Sequence, residues 1–187
     1  MTAVEHFETQ YRADCDPWGY RASAYEQDKY AATLAACGRG PFADALELGG
    51  SIGVFSALLA PRCRRLTTID YSPTAVHRAR AALAGHPQAR ARLGAIPKDL
   101  PEGRFDLVVA SETLYYLSAH ALAQTLRMLE ARLTPGGRLV CVHWCPPGPE
   151  RPLTAGEVHD AARRQPWLRA LRTDHGSEYL LDVLERQ

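Results

Sequence analysis

The stretch Ala45-Leu46-Glu47-Leu48-Gly49-Gly50-Ser51-Ile52-Gly53 constrains the fold of this chain more than any other. It follows Phe42-Ala43-Asp44 and precedes the apolar run Val54-Phe55-Ser56-Ala57-Leu58-Leu59-Ala60, which is patterned as a helix. A short apolar run, a turn of small residues and a helix start together read as a buried strand that turns tightly into a helix. Glycine lacks a Cβ and takes positive φ freely, so a ligand can approach the main chain of such a turn. The helix start beyond it offers unpaired N–H groups.

The rest of the chain continues the alternation of strand and helix. Residues 3–13 read as a short helix, broken by Pro17 and Gly19 in Asp14-Cys15-Asp16-Pro17-Trp18-Gly19-Tyr20. A second helix starts at about Ser23 or Tyr25, runs to Cys37 and is stopped by Gly38-Arg39-Gly40-Pro41. Strands follow at 65–70, 89–94 (the weakest), 105–110 and 138–144, the last after the turn Thr134-Pro135-Gly136-Gly137. Ser72, with Pro73 after it, caps a helix to Ala82 or Leu83. Ser118 caps another to about Leu133, and Thr154 one from Ala155 to Arg164. Residues 168–172 and 179–184 read as a closing hairpin. The alternation implies an α/β domain around a mostly parallel sheet. Residues 1–40 read as a helical cap on that domain, and 41–187 as its core.

Charge narrows the ligand. A pyrophosphate-binding turn spaces its glycines as Gly-x-Gly-x-x-Gly. Here Gly49, Gly50 and Gly53 follow a different spacing, and Glu47 stands two residues before the first glycine. An acid there repels pyrophosphate and suits a cation. S-adenosylmethionine carries an ammonium, a sulfonium, a ribose and no phosphate. Asp70 ends the second strand roughly twenty residues on, where an acid can receive both ribose hydroxyls. Tyr71 follows it and can lie against adenine. The head holds Tyr11, Trp18, Tyr20, Tyr25 and Tyr30, which either pin it to the core or close over the cofactor through cation–π contacts.

The fourth strand ends in Ser111-Glu112-Thr113-Leu114-Tyr115-Tyr116-Leu117. Ligands in open α/β sheets sit beyond the carboxyl ends of the strands, so Ser111, Glu112, Tyr115 and Tyr116 belong beside the reacting group. His143, at the end of the fifth strand, reads as an active-site wall or proton acceptor. Cys141, His143 and Cys145 share a strand face, but no fourth ligand accompanies them and no metal is expected.

The acid-then-glycine turn resembles the acid-x-Gly-x-Gly-x-Gly motif of class I methyltransferases, with Ser51 at the middle glycine. Asp16-Pro17-Trp18, Tyr25-Glu26, Lys29-Tyr30, Ser111-Glu112-Thr113-Leu114-Tyr115-Tyr116-Leu117, His143-Trp144 and Gly156-Glu157-Val158-His159 narrow the resemblance to the nodulation N-methyltransferase (NodS-like) family. That family implies a Rossmann-like fold: a mostly parallel seven-stranded sheet, an antiparallel last strand and helices on both faces. It implies S-adenosyl-L-methionine as cofactor, S-adenosyl-L-homocysteine as product, and a small acceptor such as an amine or amino sugar. The expected cofactor-binding residues are Tyr11, Trp18, Glu47, Gly49, Gly50, Ser51, Gly53, Asp70, Tyr71, Ala95, Ile96 and Ser111. Ala95 and Ile96 enter through their main chain, because the acid such enzymes often carry after the third strand is missing unless Asp99 folds back. The expected catalytic residues are Glu112, His143, Tyr115 and Tyr116, with Glu112 or His143 as a possible base. The chain departs from the family at Cys145-Pro146-Pro147-Gly148-Pro149, beside the expected acceptor. O-methylation of a small metabolite and a non-catalytic S-adenosylmethionine-binding module are the alternatives.

Bulk properties add exclusions. A net charge of +1 over 187 residues gives no electrostatic pull toward nucleic acid. No signal peptide or membrane-length apolar run is visible, and the 5 scattered cysteines form no Cys-x-x-Cys, which favours reduced thiols and a cytoplasmic home.

Overall fold

The computed structural model describes residues 3–146, 148 and 150–187. Pro147 and Pro149 of the expected acceptor loop lie outside the described residues. Among the described residues six α-helices and seven strands follow one another as α1 Ala3–Ala13, α2 Ala24–Cys37, β1 Ala45–Leu48, α3 Val54–Leu59, β2 Leu66–Asp70, α4 Pro73–Ala82, β3 Ala89–Leu93, β4 Phe105–Ser111, α5 Ala119–Arg132, β5 Leu133–Trp144, α6 Ala155–Arg163, β6 Leu168–His175 and β7 Tyr179–Arg186. One sheet takes the order β3-β2-β1-β4-β5-β7-β6. β1 to β5 run parallel, while β7 is antiparallel to both β5 and β6.

The strand period of two decides which core each residue joins. Leu46 and Leu48, Val108 and Ala110, and Leu139 and Cys141 pack with Leu122, Leu126 and Leu129 of α5 and Val158 and Ala162 of α6. The alternate residues Ala45, Leu107, Val109, Val140 and Val142 pack with Tyr30 of α2, Phe55 and Leu59 of α3, and Val76 and Ala79 of α4. Both faces are therefore covered, as parallel strands require.

Local chemistry sets the helix starts. Ser23, Ser72 and Ser118 each accept an N–H of their own first turn. Thr154 and Glu157 form a reciprocal capping box on α6. β5 begins earlier than expected: Leu133 pairs with Phe105 while Arg138 pairs with Leu107, so residues 134–137 loop out of the ladder. The closing hairpin is longer than expected: β6 runs on to His175 toward the turn, and β7 runs on to Arg186 away from it. Among the described residues, no helix is long and apolar enough to cross a membrane.

Candidate functional site

A cavity of about 430 Å³ opens beyond the carboxyl ends of β1, β2 and β4. Its floor is Glu47, Gly49, Gly50, Ser51, Asp70 and Ser111. Phe7, Tyr11, Trp18, Tyr20, Tyr71 and Tyr116 supply aromatic walls. Glu112, Tyr115, Trp144, Arg151 and Glu178 line the far end.

The turn after β1 is compressed. Gly49 and Gly50 both donate to Ile69 O, at 2.8 and 3.2 Å. Gly49 has φ 73, and a Cβ there would meet Thr113 Oγ1 at 2.6 Å. A Cβ on Gly50 would stand 1.7 Å from Thr68 Oγ1. Ser51 keeps the left-handed backbone expected of a glycine, with φ 50. Its side chain gives something a glycine could not: its hydroxyl lies 2.5 Å from Tyr11 Oη. The middle-glycine substitution thus ties the turn to α1.

Asp70 reaches into the same turn. Ser51 N–H donates to its Oδ2 and Ser72 N–H to its Oδ1, each at 2.9 Å. Burial pushes its carboxyl up to about 6, against the pull of those N–H groups. Glu47 is 3% exposed and accepts from the Ser56 hydroxyl. Burial raises it to about 7, with the Ser56 bond opposing. The two acids crowd the ends of neighbouring strands, and among the described residues no cation hydrogen-bonds either.

The head closes the cavity. Phe7 and Tyr11 of α1 pack with Ile52 and Ala75. Phe7 meets Tyr116 edge-on at 4.7 Å and Tyr71 at 6.1 Å. Trp18, 37% exposed, sits at the rim 5.2 Å from Tyr11. Glu8 fastens this helix to the start of α4, where Ser72 Oγ and Thr74 Oγ1 donate to it at 2.6 and 2.7 Å. Against a desolvation cost, the bonds from Ser72, Thr74 and Arg12 bring its carboxyl down to about 2.

At the far end Glu112, like Ser51, holds a left-handed backbone, with φ 53. Lys29 Nζ donates to Glu112 Oε1 at 2.8 Å and to Glu26 Oε1 at 2.9 Å. The Tyr115 hydroxyl and Trp144 N–H donate to Glu112 Oε2. Lys29 is only 2% exposed, so this is a desolvated ion cluster, not a surface pair. The Arg151 guanidinium stacks 4.8 Å over both Tyr115 and Trp144.

Four expected residues stand elsewhere. Gly53 caps α3 at φ 82, and its missing Cβ would lie 2.8 Å from Ala79 Cα, so it serves the packing of α3 on α4 instead of the cavity. Ala95 and Ile96 do not line the cavity. Asp99 does fold back, but onto Ala95, whose N–H donates to its Oδ2 at 2.9 Å. His143 shares the parity of Leu139 and Cys141 along β5 and therefore points to the α5–α6 face, wholly buried, behind the cavity wall. That parity was readable in the sequence.

His143 is held in a chain of hydrogen bonds. Leu114 N–H donates to its Nε2 at 3.2 Å, which puts its own proton on Nδ1. Nδ1 then donates to His159 Nε2 at 3.1 Å, and His159 Nδ1 to Asp182 Oδ2 at 2.8 Å. Thr173 and Arg163 also donate to Asp182. Burial, then His159, depress the His143 pKa well below the usual imidazole range. Burial favours a raised Asp182 pKa, but the bonds from His159 and Thr173 hold it below the ordinary value.

In the sequence Glu26, Lys29 and His159 carry the family resemblance without a place in the site, and Glu8 and Asp182 carry no signal. Glu26 and Lys29 were visible three apart on α2, but no local signal announces that a lysine will be buried. Among the described residues, no cluster of three metal-binding side chains is assembled.

The family described as Nodulation protein S (NodS) matches residues 4–143. Nodulation protein S of Sinorhizobium fredii (strain NBRC 101917 / NGR234) is 34% identical over 144 residues, 75% of this chain and 67% of that protein. Its Rhizobium tropici counterpart is 37% identical over 131 residues, 67% of this chain and 53% of that protein. The chain thus spans between about half and two thirds of these relatives. A Pseudomonas syringae protein, provisionally described as a methyltransferase, superposes with a TM-score of 0.78 at 37% identity, over 88% of this chain and 100% of that one. The N-methyltransferase NodS of Bradyrhizobium japonicum WM9, solved with S-adenosyl-L-homocysteine, gives a TM-score of 0.89 at 24% identity, over 100% of this chain and 99% of that one. That last likeness is one of fold.

Proposed function

This chain belongs to the Nodulation protein S family and has its class I methyltransferase fold, and we propose that it transfers the methyl group of S-adenosylmethionine to the nitrogen of a small amine such as an amino sugar. The observation that carries this reading is the sign of the cavity. Glu26, Glu47, Asp70, Glu112, Glu150 and Glu178 line it, against Lys29 and Arg151. A cofactor with two positive centres and no phosphate fits such a lining; a pyrophosphate does not.

In this reading the Gly49–Gly50–Ser51 turn receives the amino-acid end of the cofactor, with Glu47 beneath it. Asp70 takes the ribose hydroxyls, and Tyr71 lies along the adenine. Tyr11 and Trp18 close the site and keep water out. S-adenosylmethionine supplies, when bound, a methyl group on a positively charged sulfur, open to in-line attack by a neutral nitrogen. Ser111, Tyr115 and Tyr116 hold the acceptor in line, and that alignment supplies much of the rate. The Glu112 carboxylate faces the nitrogen as positive charge grows on it. His143 acts from behind, by fixing Leu114 and so the loop that carries Glu112, Tyr115 and Tyr116. The 5 cysteines are unpaired, three of them buried, which supports a reducing compartment such as the cytoplasm.

Calorimetry with S-adenosylhomocysteine and with NAD, followed by transfer of labelled methyl to glucosamine and N-acetylglucosamine, tests the reading. Binding of the first ligand alone and methylation of the free amine alone are expected. Binding of NAD without S-adenosylhomocysteine overturns it. Cofactor binding with no transfer to any amine converts it to the non-catalytic alternative.

A further inference from the structure

Two carboxylates bond Lys29 at the far end of the cavity, with the Tyr25 ring 5.1 Å from its Nζ, and the two carboxylates are not equally occupied. Glu112 is in use at both oxygens, by Lys29 on Oε1 and by Tyr115 and Trp144 on Oε2. Glu26 gives Oε1 to Lys29, but its Oε2 is buried and, among the described residues, has no hydrogen-bond partner. The hydroxyl of Tyr25, the preceding residue, is likewise buried and without a hydrogen-bond partner there. Both residues line the cavity. Buried polar atoms are rarely left unpaired, because desolvation without a bond is unfavourable. Two such atoms on adjacent residues that both line one cavity point to a ligand that completes them. The cluster also has two carboxylates for one ammonium, leaving one negative charge in excess.

We propose that Glu26 Oε2 and Tyr25 Oη seat the acceptor's ammonium group, and that Glu26, not Glu112, takes the proton that frees the nitrogen lone pair. The inference rests on the methyl-transfer reading and names the acceptor class within it: a primary or secondary amine that arrives as a cation. The N–H bond breaks with its electron pair left on nitrogen, and the proton bonds to a lone pair of Oε2. A cation and an anion become a neutral amine and a neutral acid. Burial raises the Glu26 pKa, with Lys29 opposing and Glu112 and Asp16 reinforcing, so the group is suited to hold that proton. Lys29, Glu112 and Asp16 are the charged groups acting on it, and the titratable hydroxyls of Tyr20, Tyr25 and Tyr30 also interact with it. Tyr25 stays protonated, since burial and the nearby Glu112 raise its pKa, and its oxygen can accept from the ammonium.

Glu26→Gln keeps the shape and a carbonyl oxygen for Lys29 while removing the proton acceptor. The test compares it with the wild-type chain for S-adenosylhomocysteine affinity by calorimetry, and for methylation of glucosamine and benzylamine from pH 6.5 to 10. Affinity within about twofold, kcat down by at least ~100-fold at pH 7, and recovery as the amine loses its proton in solution are expected. A Glu26→Gln protein with the wild-type rate and profile overturns the proposal, as does a wild-type protein that binds S-adenosylhomocysteine but methylates neither amine. Failure of the wild type to bind S-adenosylhomocysteine overturns the methyl-transfer reading first, and the proposal with it. Should Glu26→Gln not fold, Tyr25→Phe decides: a KM raised about tenfold with kcat kept supports the seat, and an unchanged KM overturns it.

Discussion

His143 Nδ1 lies 3.1 Å from His159 Nε2, and both rings are wholly buried. Because Leu114 N–H occupies the other nitrogen of His143 and Asp182 the other nitrogen of His159, every proton in the chain points one way, from the loop after β4 to β7. A loop held at φ 53 by residue Glu112 needs such a support, since the surrounding structure must over-determine a left-handed residue. Asp182→Asn is expected to lower stability by about 2–4 kcal/mol in denaturant unfolding, through the buried groups left unpaired. It should reduce kcat more than S-adenosylhomocysteine affinity, because the loop carries Tyr115 and Tyr116 while the cofactor rests on the turn after β1. Equal losses in both would argue against a positioning role.

Glu47 carries a pH dependence of its own. Its carboxyl ionises at about 7 in the folded chain against 4.5 when unperturbed. Between those values the folded chain holds a proton that the unfolded chain has lost, so stability is full below 4.5 and falls as pH rises through about 7. Glu47→Gln is expected to stabilise the ligand-free protein at pH 8 by up to ~3 kcal/mol and to weaken S-adenosylmethionine binding. In the wild type that affinity should rise with pH up to about 7, and in the variant this rise should vanish. Calorimetry across pH 5.5 to 8.5 reads both.

His143 works in the opposite direction. Its folded pKa lies well below 6.5, so below that pH the unfolded chain takes up a proton that the folded chain refuses. Its contribution is present above 6.5 and lost on acidification, at up to about 1.4 kcal/mol per pH unit. Between pH 4.5 and 6.5 the two groups oppose each other. The stability of wild-type protein should therefore be flatter there than that of either Glu47→Gln, which keeps the His143 slope, or His143→Gln, which keeps the Glu47 slope.

Glu8→Ala should loosen the head without unfolding the core. It removes two hydroxyl donors' shared acceptor at the start of α4, each such charged bond being worth about 1.5–3 kcal/mol. S-adenosylhomocysteine affinity is expected to drop about tenfold, with faster amide exchange in α1 and little change in β1 or β4. Exchange that stays slow in α1 would show that the aromatic contacts of Phe7 and Tyr11 suffice.

Gly50→Ala places a methyl 1.7 Å from Thr68 Oγ1. Overpacking of this kind costs about 1–3 kcal/mol and shifts the turn, so cofactor binding should fall together with thermal stability. Adding Thr68→Ala should restore much of both. No recovery in the double variant would locate the damage in the turn backbone.

The sheet, the helix starts and the cofactor floor were legible because they are local. Strand runs, small-residue turns and Ser–Pro caps each act within a few residues, and Glu47 and Asp70 stand at strand ends that the sequence itself marks. What escaped is what tertiary structure decides. Lys29 looks like a surface residue of an amphipathic helix until Glu112, 83 positions away, arrives beside it. His159 and Asp182 are ordinary polar residues until α6 and β7 bring them together. Gly53 looked like part of the ligand turn because sequence spacing cannot tell a glycine that admits a ligand from one that admits a neighbouring helix. His143 shares the parity of Cys141 and Leu139, two and four residues earlier, but which side of the sheet that face takes is settled only when α5 and α6 pack on it.

The family match ends at His143, the residue whose ring hands its proton bond onward to α6 and β7. That match covers the floor of the cavity and stops short of Trp144, Arg151 and Glu178 at its far end and of the bracing beneath the loop. A fragment ending there would retain every floor residue of the cavity and lose the strut beneath the loop, so the smallest working unit of this protein extends past its recognisable signature.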